Sequence, residues 1–258
     1  MKKSLLLIIA TLGLSPLFGQ AFSAYIVPQF QNLSSSTFNQ FRSSYNTRFV
    51  DDLDKELSPG LGRGMVYGIS FGTLSGNTDD NPFVFGFEYS RTSQMHRATF
   101  NDAAVRSFKT KNNVFAFNMG LDFGIELIEG DYISHYLFIR PEVGLGLGSS
   151  KIIADFKSGT SGKTDLDING TYKATSGNAM AGIGISYLVG YVGIKFYTRY
   201  NTQFFATGMH NPDRETGEDR IYIGVSNNNT GVIGDEVRND FKYLQFGIGL
   251  VIGASANE

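Results

Sequence analysis

Residues 115–126 read FAFNMGLDFGIE, and this stretch decides the fold. The odd-numbered positions are all bulky and apolar: Phe115, Phe117, Met119, Leu121, Phe123 and Ile125. The even-numbered positions are small, amide or acidic: Ala116, Asn118, Gly120, Asp122, Gly124 and Glu126. A period of two belongs to a β-strand, whose successive side chains point to opposite faces. The stretch therefore predicts a strand with one continuous apolar face and one face of small and charged residues.

The same alternation recurs along the chain. It is found at residues 65–73, 83–89, 137–148, 182–187, 192–200 and 243–253. A strand face that meets water favours Thr, Lys, Glu and Ser, because glycine weakens a strand. Here the second face is rich in glycine, which suits the crowded interior of a narrow barrel and leaves the apolar face for lipid. The pattern predicts an all-β, closed up-and-down antiparallel transmembrane β-barrel; a soluble lipocalin-like barrel is the alternative.

The connections between these segments set the number of strands. Residues 75–81, 129–131 and 188–190 read as short turns, and residues 94–107, 151–176 and 206–239 as long polar outer loops. Tyrosines flank the short turns, where an interfacial girdle belongs: Tyr132, Tyr136, Tyr187 and Tyr191. An even number of strands requires an eighth before Met65, and Ala24–Gln31 is the alternating candidate, although Pro28 predicts an edge or bulged strand there. We expect about eight strands, with ten as the alternative.

The N-terminus has the pattern of an export signal. Lys2 and Lys3 precede an apolar run from Leu5 to Leu14, and small residues follow it. The run is about 10 residues, too short for the roughly 20 that a membrane-spanning helix needs. We therefore predict a signal peptide at residues 1–23, cleaved near Gly19–Gln20 or Ser23–Ala24, and a single barrel domain at residues 24–258.

One segment departs from the strand pattern. Apolar residues recur there at spacings of three and four: Phe38, Phe41, Tyr45, Phe49, Leu53 and Leu57. Ser36 or Thr37 is a plausible N-cap and Pro59–Gly60 a stop, so the spacing predicts an amphipathic helix near residues 37–57. Because side chains fill an eight-stranded lumen, we expect the helix on a rim of the barrel or in the membrane interface. A helix inside the barrel would require a wider one.

The inward faces of the strands carry both signs of charge. The candidate lumen network is Glu88, Asp122, Glu126, Arg140, Glu142, Lys195 and Arg199. Charges buried in a narrow lumen must pair, because desolvating an isolated charge costs several kcal/mol. The network is interpreted either as a structural salt-bridged core or as the lining of a narrow gated pore.

Composition excludes several other chemistries. The absence of cysteine rules out disulfides, thiol catalysis and cysteine-ligated zinc, and a net charge of −2 argues against nucleic acid as a partner. Gly68–Gly72 matches the G-x-S-x-G pattern of hydrolases but lies inside an alternating strand, where a nucleophile elbow needs a strand-to-helix turn. Asp165, Asp167 and Asn169 copy the first half of a calcium loop, but Ser176 replaces the bidentate glutamate. We predict no catalytic, cofactor-binding or metal site.

Three histidines complete the inventory of candidate site residues. His96 and His210 are expected in outer loops and His135 near a periplasmic turn, too scattered for a metal site. Ser90 or Ser93 with His96 is the nearest approach to the Ser–His pair that a lipid-modifying enzyme of the outer membrane would need.

Over about residues 24–253 the glycine-lined strands, the tyrosine girdle and the last strand at Tyr243–Gly253 resemble the small outer-membrane β-barrel proteins of Gram-negative bacteria, the OmpA/OmpX-like and PorT-like group. Such barrels usually end on an aromatic residue, whereas this chain continues through Ala254–Glu258. The resemblance implies location in the outer membrane and no shared catalytic residue. We expect a non-enzymatic barrel that anchors or presents outer loops to partners, in contact with membrane lipid and possibly other envelope proteins. A narrow pore or ligand channel is the first alternative and a lipid-modifying enzyme the second.

Overall fold

The computed structural model describes residues 22–72, 83–128, 135–160, 168–214, 220–225 and 232–254. The first elements are β1 (Phe22–Gln31), β2 (Ser34–Ser35), helix α1 (Ser36–Arg48), β3 (Leu53–Pro59) and β4 (Gly62–Gly72). The long strands follow as β5 (Phe83–Phe100), β6 (Val105–Leu121), β7 (Phe123–Ile128), β8 (His135–Lys157) and β9 (Gly170–Val189). The chain continues with β10 (Val192–Phe204), β11 (Tyr222–Val225), β12 (Val232–Glu236) and β13 (Phe241–Ala254).

Eight of the described strands close into a barrel. They pair in the order β1-β4-β5-β6-β8-β9-β10-β13, and β13 pairs back onto β1. Every one of these pairings is antiparallel. The predicted fold class is therefore confirmed, with eight strands rather than ten. Closure leaves no barrel strand with a free edge, which is the condition for crossing a bilayer with strands.

The first strand is an ordinary barrel strand rather than an edge or bulged one. β1 pairs with β4 along its whole length and with β13 at both of its ends. Pro28 pairs with Met65, and the ladder to β13 resumes at Gln29 in the same register that it has at Ile26. One proline without an N–H is thus accommodated in a closed sheet without a register shift.

The outward face of the barrel is apolar, as the alternation predicted. Large hydrophobic side chains are exposed on every barrel strand, among them Phe30, Tyr67, Phe87, Phe117, Leu145, Ile185, Ile194 and Leu250. A continuous exposed apolar belt of this size is incompatible with water and is the lipid-facing surface of a membrane barrel. The architecture is that of an eight-stranded outer-membrane barrel. No helix in the described ranges is long and apolar enough to cross a membrane.

One end of the barrel has the predicted tight turn, and the other end differs from the prediction. Val189 and Val192 are joined by a tight turn at Gly190–Tyr191, where Gly190 has a φ of 58°; we call this end of the barrel the turn end. At the opposite, outer end the predicted loop at residues 94–107 is wrong, because β5 and β6 continue as paired strands around a turn at residues 101–104. Residues 151–157 and 170–176 likewise extend β8 and β9.

The sequence predicted loops here because these strand extensions lie outward of the apolar belt. Met95, Arg97 and Thr99 point outward while Gln94 and His96 point inward, so both faces carry polar residues and the segment resembles a loop in composition. His96 is therefore a buried strand residue, and its predicted place in an outer loop is wrong.

Helix α1 is confirmed but shorter than predicted. It begins after Ser35, whose Oγ accepts the Phe38 N–H at 3.0 Å, and it ends at Arg48, where the Phe49 N–H still reaches the Tyr45 carbonyl. The N-cap is thus Ser35 rather than Ser36 or Thr37. Residues 53–57, predicted as helix, form strand β3, which pairs with the outer end of β5. The extension of β5 offers backbone groups to pair with, and that pairing replaces further helix.

The helix lies at the outer rim, but on the inward side of the strands rather than in the membrane interface. Phe38 packs edge-on against His96, with ring centroids 4.8 Å apart, and Phe41 packs against Phe108 at 5.3 Å. His96 and Phe108 belong to the buried, inward-facing set of β5 and β6. The helix therefore covers the mouth of an eight-stranded barrel, whose outer extensions make room for it.

Residues 1–21 and 255–258 lie outside the described residues, so the predicted leader, apart from Phe22 and Ser23, and the tail stay predictions. The same holds for Tyr132 and for Asp165 and Asp167 of the calcium-like loop. Two of the other predicted girdle residues, Tyr187 and Tyr191, lie on the outward, lipid-facing surface at the turn end. The third, Tyr136, instead packs against Phe138, whose side chain points into the barrel.

Candidate functional site: the charged lumen and its outer cap

The centre of the lumen is built around Arg199 of β10, which is 1% exposed. Its Nη1 donates to Glu88 Oε2 on β5 and its Nε donates to Glu142 Oε1 on β8. Glu88 Oε2 also accepts from the Tyr25 hydroxyl at 2.9 Å and from Asn118 Nδ2 at 3.3 Å. One guanidinium thus joins two carboxylates from different strands in a space closed to bulk water.

A second ion pair lies toward the turn end. Arg140 donates from Nε and Nη2 to the two carboxylate oxygens of Asp122, each at 2.5 Å. Its Nη1 donates to Ser70 Oγ at 3.2 Å, and Ser70 Oγ lies 2.5 Å from Ser23 Oγ. This bidentate geometry fixes the plane of the guanidinium, and a lysine ammonium could not form it.

Lys195 is placed differently from the other lumen cations. It is buried, and its Nζ lies 3.9 Å from the centre of the Tyr25 ring, a cation–π contact. The side chain also borders a small cavity with Ser23, Phe138, Arg140 and Leu188. The described lumen set therefore holds three carboxylates, on Glu88, Asp122 and Glu142, against the three cations on Arg140, Lys195 and Arg199. The side chain of Glu126 lies outside the described residues.

A layer of neutral polar side chains lies on the outer side of the ion pairs. Asn112 is its hub: its Oδ1 accepts from Ser150 Oγ at 2.9 Å and from Gln203 Nε2 at 3.0 Å. Nearby, Tyr197 donates to Gln29 Oε1 and accepts from Gln245 Nε2, both at 3.2 Å. These residues fill the lumen with hydrogen bonds between neighbours on different strands.

The outer cap is the segment from β2 to β3, including helix α1, seated on the inward face of the strand extensions. Phe38, Phe41, Tyr45, Phe49 and Leu57 join one buried apolar cluster with barrel residues such as Phe108, Ile152, Tyr172 and Phe241. The cluster lies beyond the lipid belt, so this barrel has an aqueous-side hydrophobic core in addition to its lipid-facing surface.

Polar contacts fix the cap at both ends of the helix. The Asp240 carboxylate accepts from Ser35 Oγ at 2.5 Å and from the Thr37 N–H at 3.3 Å, which places a negative charge at the helix N-terminus. At the other end, Asn46 Oδ1 accepts the Leu57 N–H at 2.7 Å and Asn46 Nδ2 donates to the Leu57 carbonyl. The cap is thus a folded unit and not a loose loop.

His96 is the titratable group at the interface between cap and barrel. It is 2% exposed, and within the described ranges neither ring nitrogen has a hydrogen-bond partner. Burial, and to a lesser extent the nearby charge of Arg42, lowers the pKa of His96 from 6.5 to about 4. His96 is therefore held neutral against the Phe38 ring at neutral pH.

Three of the remaining candidate residues have their side chains engaged by neighbouring residues. Ser70 lies within strand β4 and is occupied by Ser23 and Arg140. Asn169 Oδ1 accepts from Arg106 Nη1 at 2.6 Å, and His135 Nδ1 lies 2.6 Å from the Tyr187 hydroxyl. Among the described residues, no three His, Cys, Asp or Glu side chains are grouped to hold a metal ion.

Several important residues were not among the candidates predicted from the sequence. Tyr25, Asn118 and Asn112 lie on the inward faces and complete the network. Arg106, placed by the sequence in a loop, is fully buried and stacks on Phe156, with Cζ 5.0 Å from the ring centre. Tyr25 and Asn118 lie on strands that the sequence predicted and could have been marked by their inward parity. Asn112 and Arg106 lie on the outer part of β6, where parity could be used only once that extension was recognised.

Comparisons with known proteins find only distant similarities. No family model and no curated protein matches the chain. Among solved structures, it is similar to Ail, the attachment invasion locus protein of Yersinia pestis, in complex with the heparin analogue sucrose octasulfate. The identity is 12% and the TM-score 0.39, over 91% of this chain and 99% of that one. Neisserial surface protein A is similar at 15% identity and a TM-score of 0.36, over 90% of this chain and 97% of that one.

Proposed function

We propose that this protein is a non-enzymatic outer-membrane barrel that anchors a folded outer cap and presents it to partners at the cell surface. The observation that carries the proposal is the filling of the lumen. Ion pairs, a polar layer and the apolar cluster beneath α1 follow one another from the turn end to the outer end. Such an interior leaves the outer structure as the part of the molecule available for interaction.

The lumen charges act as a structural core in this proposal. Three described cations face three described carboxylates, and Arg199 links strands that are far apart around the barrel. A conducting pore needs a continuous water path, and these side chains occupy the place where it would run. A conducting pore is the alternative function that the experiment below must exclude.

The cap offers the surface for contact. Its apolar residues are turned toward the barrel, but the turn after α1 exposes Val50 by 63%, beside the acidic Asp51. Partners of this surface are other envelope or external proteins. The proposal includes no cofactor, metal or nucleic acid.

The test places a photo-activatable amino acid at Val50 in cells that make the protein, with the same substitution at the lipid-facing Phe117 as the matched control. Discrete protein adducts from position 50 and none from position 117 are the expected result. Lipid adducts alone from both positions, together with large steady conductance of the purified wild type in planar bilayers, would overturn the proposal in favour of a pore.

A further inference from the structure

A row of basic side chains crosses the outward face of the barrel just beyond the apolar belt. Lys111 of β6 pairs with Lys151 of β8, and Lys151 pairs with Lys173 of β9, so the three lysines lie directly opposite one another on three neighbouring strands. We call these three residues the basic rung. Each has the parity of its strand's outward-facing residues, and none is buried.

The basic rung is extended on the neighbouring strands. Arg63 of β4 pairs with Ser93 of β5, which in turn pairs with Lys111. Arg91 and Lys109 lie two positions away along β5 and β6 and point outward as well. The outward positions of the described strands at this rung and at its two neighbours, from β4 to β9, contain no Asp or Glu. A chain with a net charge of −2 thus concentrates cations on one side.

The arrangement is unfavourable by itself. Like charges directly opposite each other on paired strands repel, and such pairs destabilise a sheet. Three strands in sequence repeat that pairing here. An anion seated on the rung would turn the repulsion into attraction, so the geometry calls for a negatively charged ligand.

The position relative to the membrane identifies the ligand. Lys111 lies four residues beyond the lipid-facing Phe115 on β6, and Lys151 lies four residues beyond Leu147 on β8. At about 3.3 Å per residue and a strand tilt near 40°, the two lysines lie roughly 10 Å outward of Phe115 and Leu147. Lipid headgroups occupy that depth.

We infer that the basic rung binds the phosphate groups of anionic lipids in the outer leaflet. Neighbouring strands are about 4.8 Å apart, so Lys111 and Lys173 are separated by roughly 10 Å, enough for two phosphates bridged by Lys151. The match is to a lipid whose headgroup carries more than one phosphate. Cations at this depth are attracted to an anionic membrane surface and lose that attraction at high salt.

The experiment uses the full protein purified in a neutral detergent and a diphosphorylated glycolipid as the probe. The variant K111Q/K151Q/K173Q removes the basic rung, and K55Q/R238Q/K242Q removes three exposed cations elsewhere at the outer end as the matched control. Binding is measured by native mass spectrometry and by the temperature at which the folded barrel loses its anomalous gel mobility.

The wild type and the control are expected to bind the glycolipid and to gain thermal stability from it. At roughly fivefold per lysine, the rung variant should bind about a hundredfold more weakly. Without lipid the rung variant should be at least as stable as the wild type, because the like-charge pairs are gone. The variant K111R/K151R/K173R, which keeps the charges, should bind like the wild type.

Equal binding by the wild type and K111Q/K151Q/K173Q would overturn the inference. So would equal binding of the same glycolipid with its phosphates removed. An equal gain in stability from inorganic phosphate would also overturn it, because the site would then recognise the free ion and not a membrane lipid.

Discussion

Arg199 and Glu88 lie on strands that are diametrically opposed, and their side chains nonetheless form an ion pair. β5 and β10 are four steps apart in either direction around the eight-stranded barrel. The Arg199 guanidinium crosses the lumen to reach the Glu88 carboxylate and on the way contacts Glu142 on β8. The lumen is therefore closed at this level by one side chain that spans it.

Removing that side chain should both destabilise and open the barrel. In Arg199→Leu the carboxylates of Glu88 and Glu142 lose their shared cation while still buried, which costs about 3–5 kcal/mol of unfolding free energy. We expect a lower urea midpoint and a measurable conductance in planar bilayers, against a nearly silent wild type. Arg91→Leu is the control, because it removes the same charge from the exposed outward face. Equal conductance of both variants would contradict the role of Arg199.

The outward face allows a test of the membrane assignment. Phe117 is 38% exposed within the apolar belt, and arginine near the midplane of a barrel costs roughly 2–4 kcal/mol. Phe117→Arg should reduce the fraction of chains that reach the heat-modifiable folded form in the membrane. Val50→Arg in the exposed turn of the cap should leave that fraction unchanged. A larger loss of folded protein from Val50→Arg would contradict the assignment of Phe117 to lipid and of Val50 to water.

The barrel was predictable because its signal is local. Alternation along Phe115–Ile125 and the glycines opposite it settle which face meets lipid, and both are read without knowledge of the partner strands. The same parity placed Arg199, Glu88 and Glu142 on one inward face. Which of them meet depends on the stagger between strands, and no single strand encodes that stagger.

The outer end was misread because its signals depend on tertiary contacts. The helical spacing continues from Phe49 to Leu57, but residues 53–59 pair with the extension of β5 instead. Gln94–Phe100 alternates between water and a covered interior, so its composition resembles that of a loop. His96 and Phe108 are buried because α1 packs against the inward face of the outer strand extensions.

Two glycines of the lumen should respond in opposite ways to alanine. A Cβ on Gly68 would lie 2.1 Å from Tyr25 Cζ, which holds its hydroxyl on Glu88. A Cβ on Gly184 would meet nothing closer than Lys195 Cε at 3.4 Å. Gly68→Ala should therefore lower the unfolding free energy by about 1–3 kcal/mol, whereas Gly184→Ala should be neutral or raise it by up to about 1 kcal/mol. Urea unfolding followed by gel mobility measures both, and equal losses would mean that Tyr25 is not held in place.

The start of β1 distinguishes the two predicted cleavage sites. Ser23 pairs with Ser70 of β4 and Gly253 of β13, and its Oγ lies 2.5 Å from Ser70 Oγ. Cleavage between Ser23 and Ala24 would remove these contacts from the closing strand, whereas cleavage between Gly19 and Gln20 keeps them. We expect the mature protein to begin at Gln20, and the intact mass of the protein purified from membranes decides the matter. A mass that begins at Ala24 would show that the barrel closes without Ser23.

The last prediction concerns the attachment of the cap at acid pH. Because the pKa of His96 is about 4 in the folded protein and 6.5 ordinarily, the unfolded cap binds a proton that the folded cap excludes. The stability of the cap should therefore be fully present above about pH 6.5, fall as the pH drops toward 4, and change no further from this group below that. The total loss is at most about 3.5 kcal/mol, since each unit of pKa difference is worth about 1.4 kcal/mol. Hydrogen exchange of residues 36–48 should accelerate between pH 7 and pH 4.5 after correction for the intrinsic pH dependence, while exchange in the membrane-spanning strands stays slow.

His96→Phe keeps a ring against Phe38 and removes the titration, so its corrected exchange should not change with pH. If the wild type and His96→Phe lose protection equally at pH 4.5, a group other than His96 controls the cap.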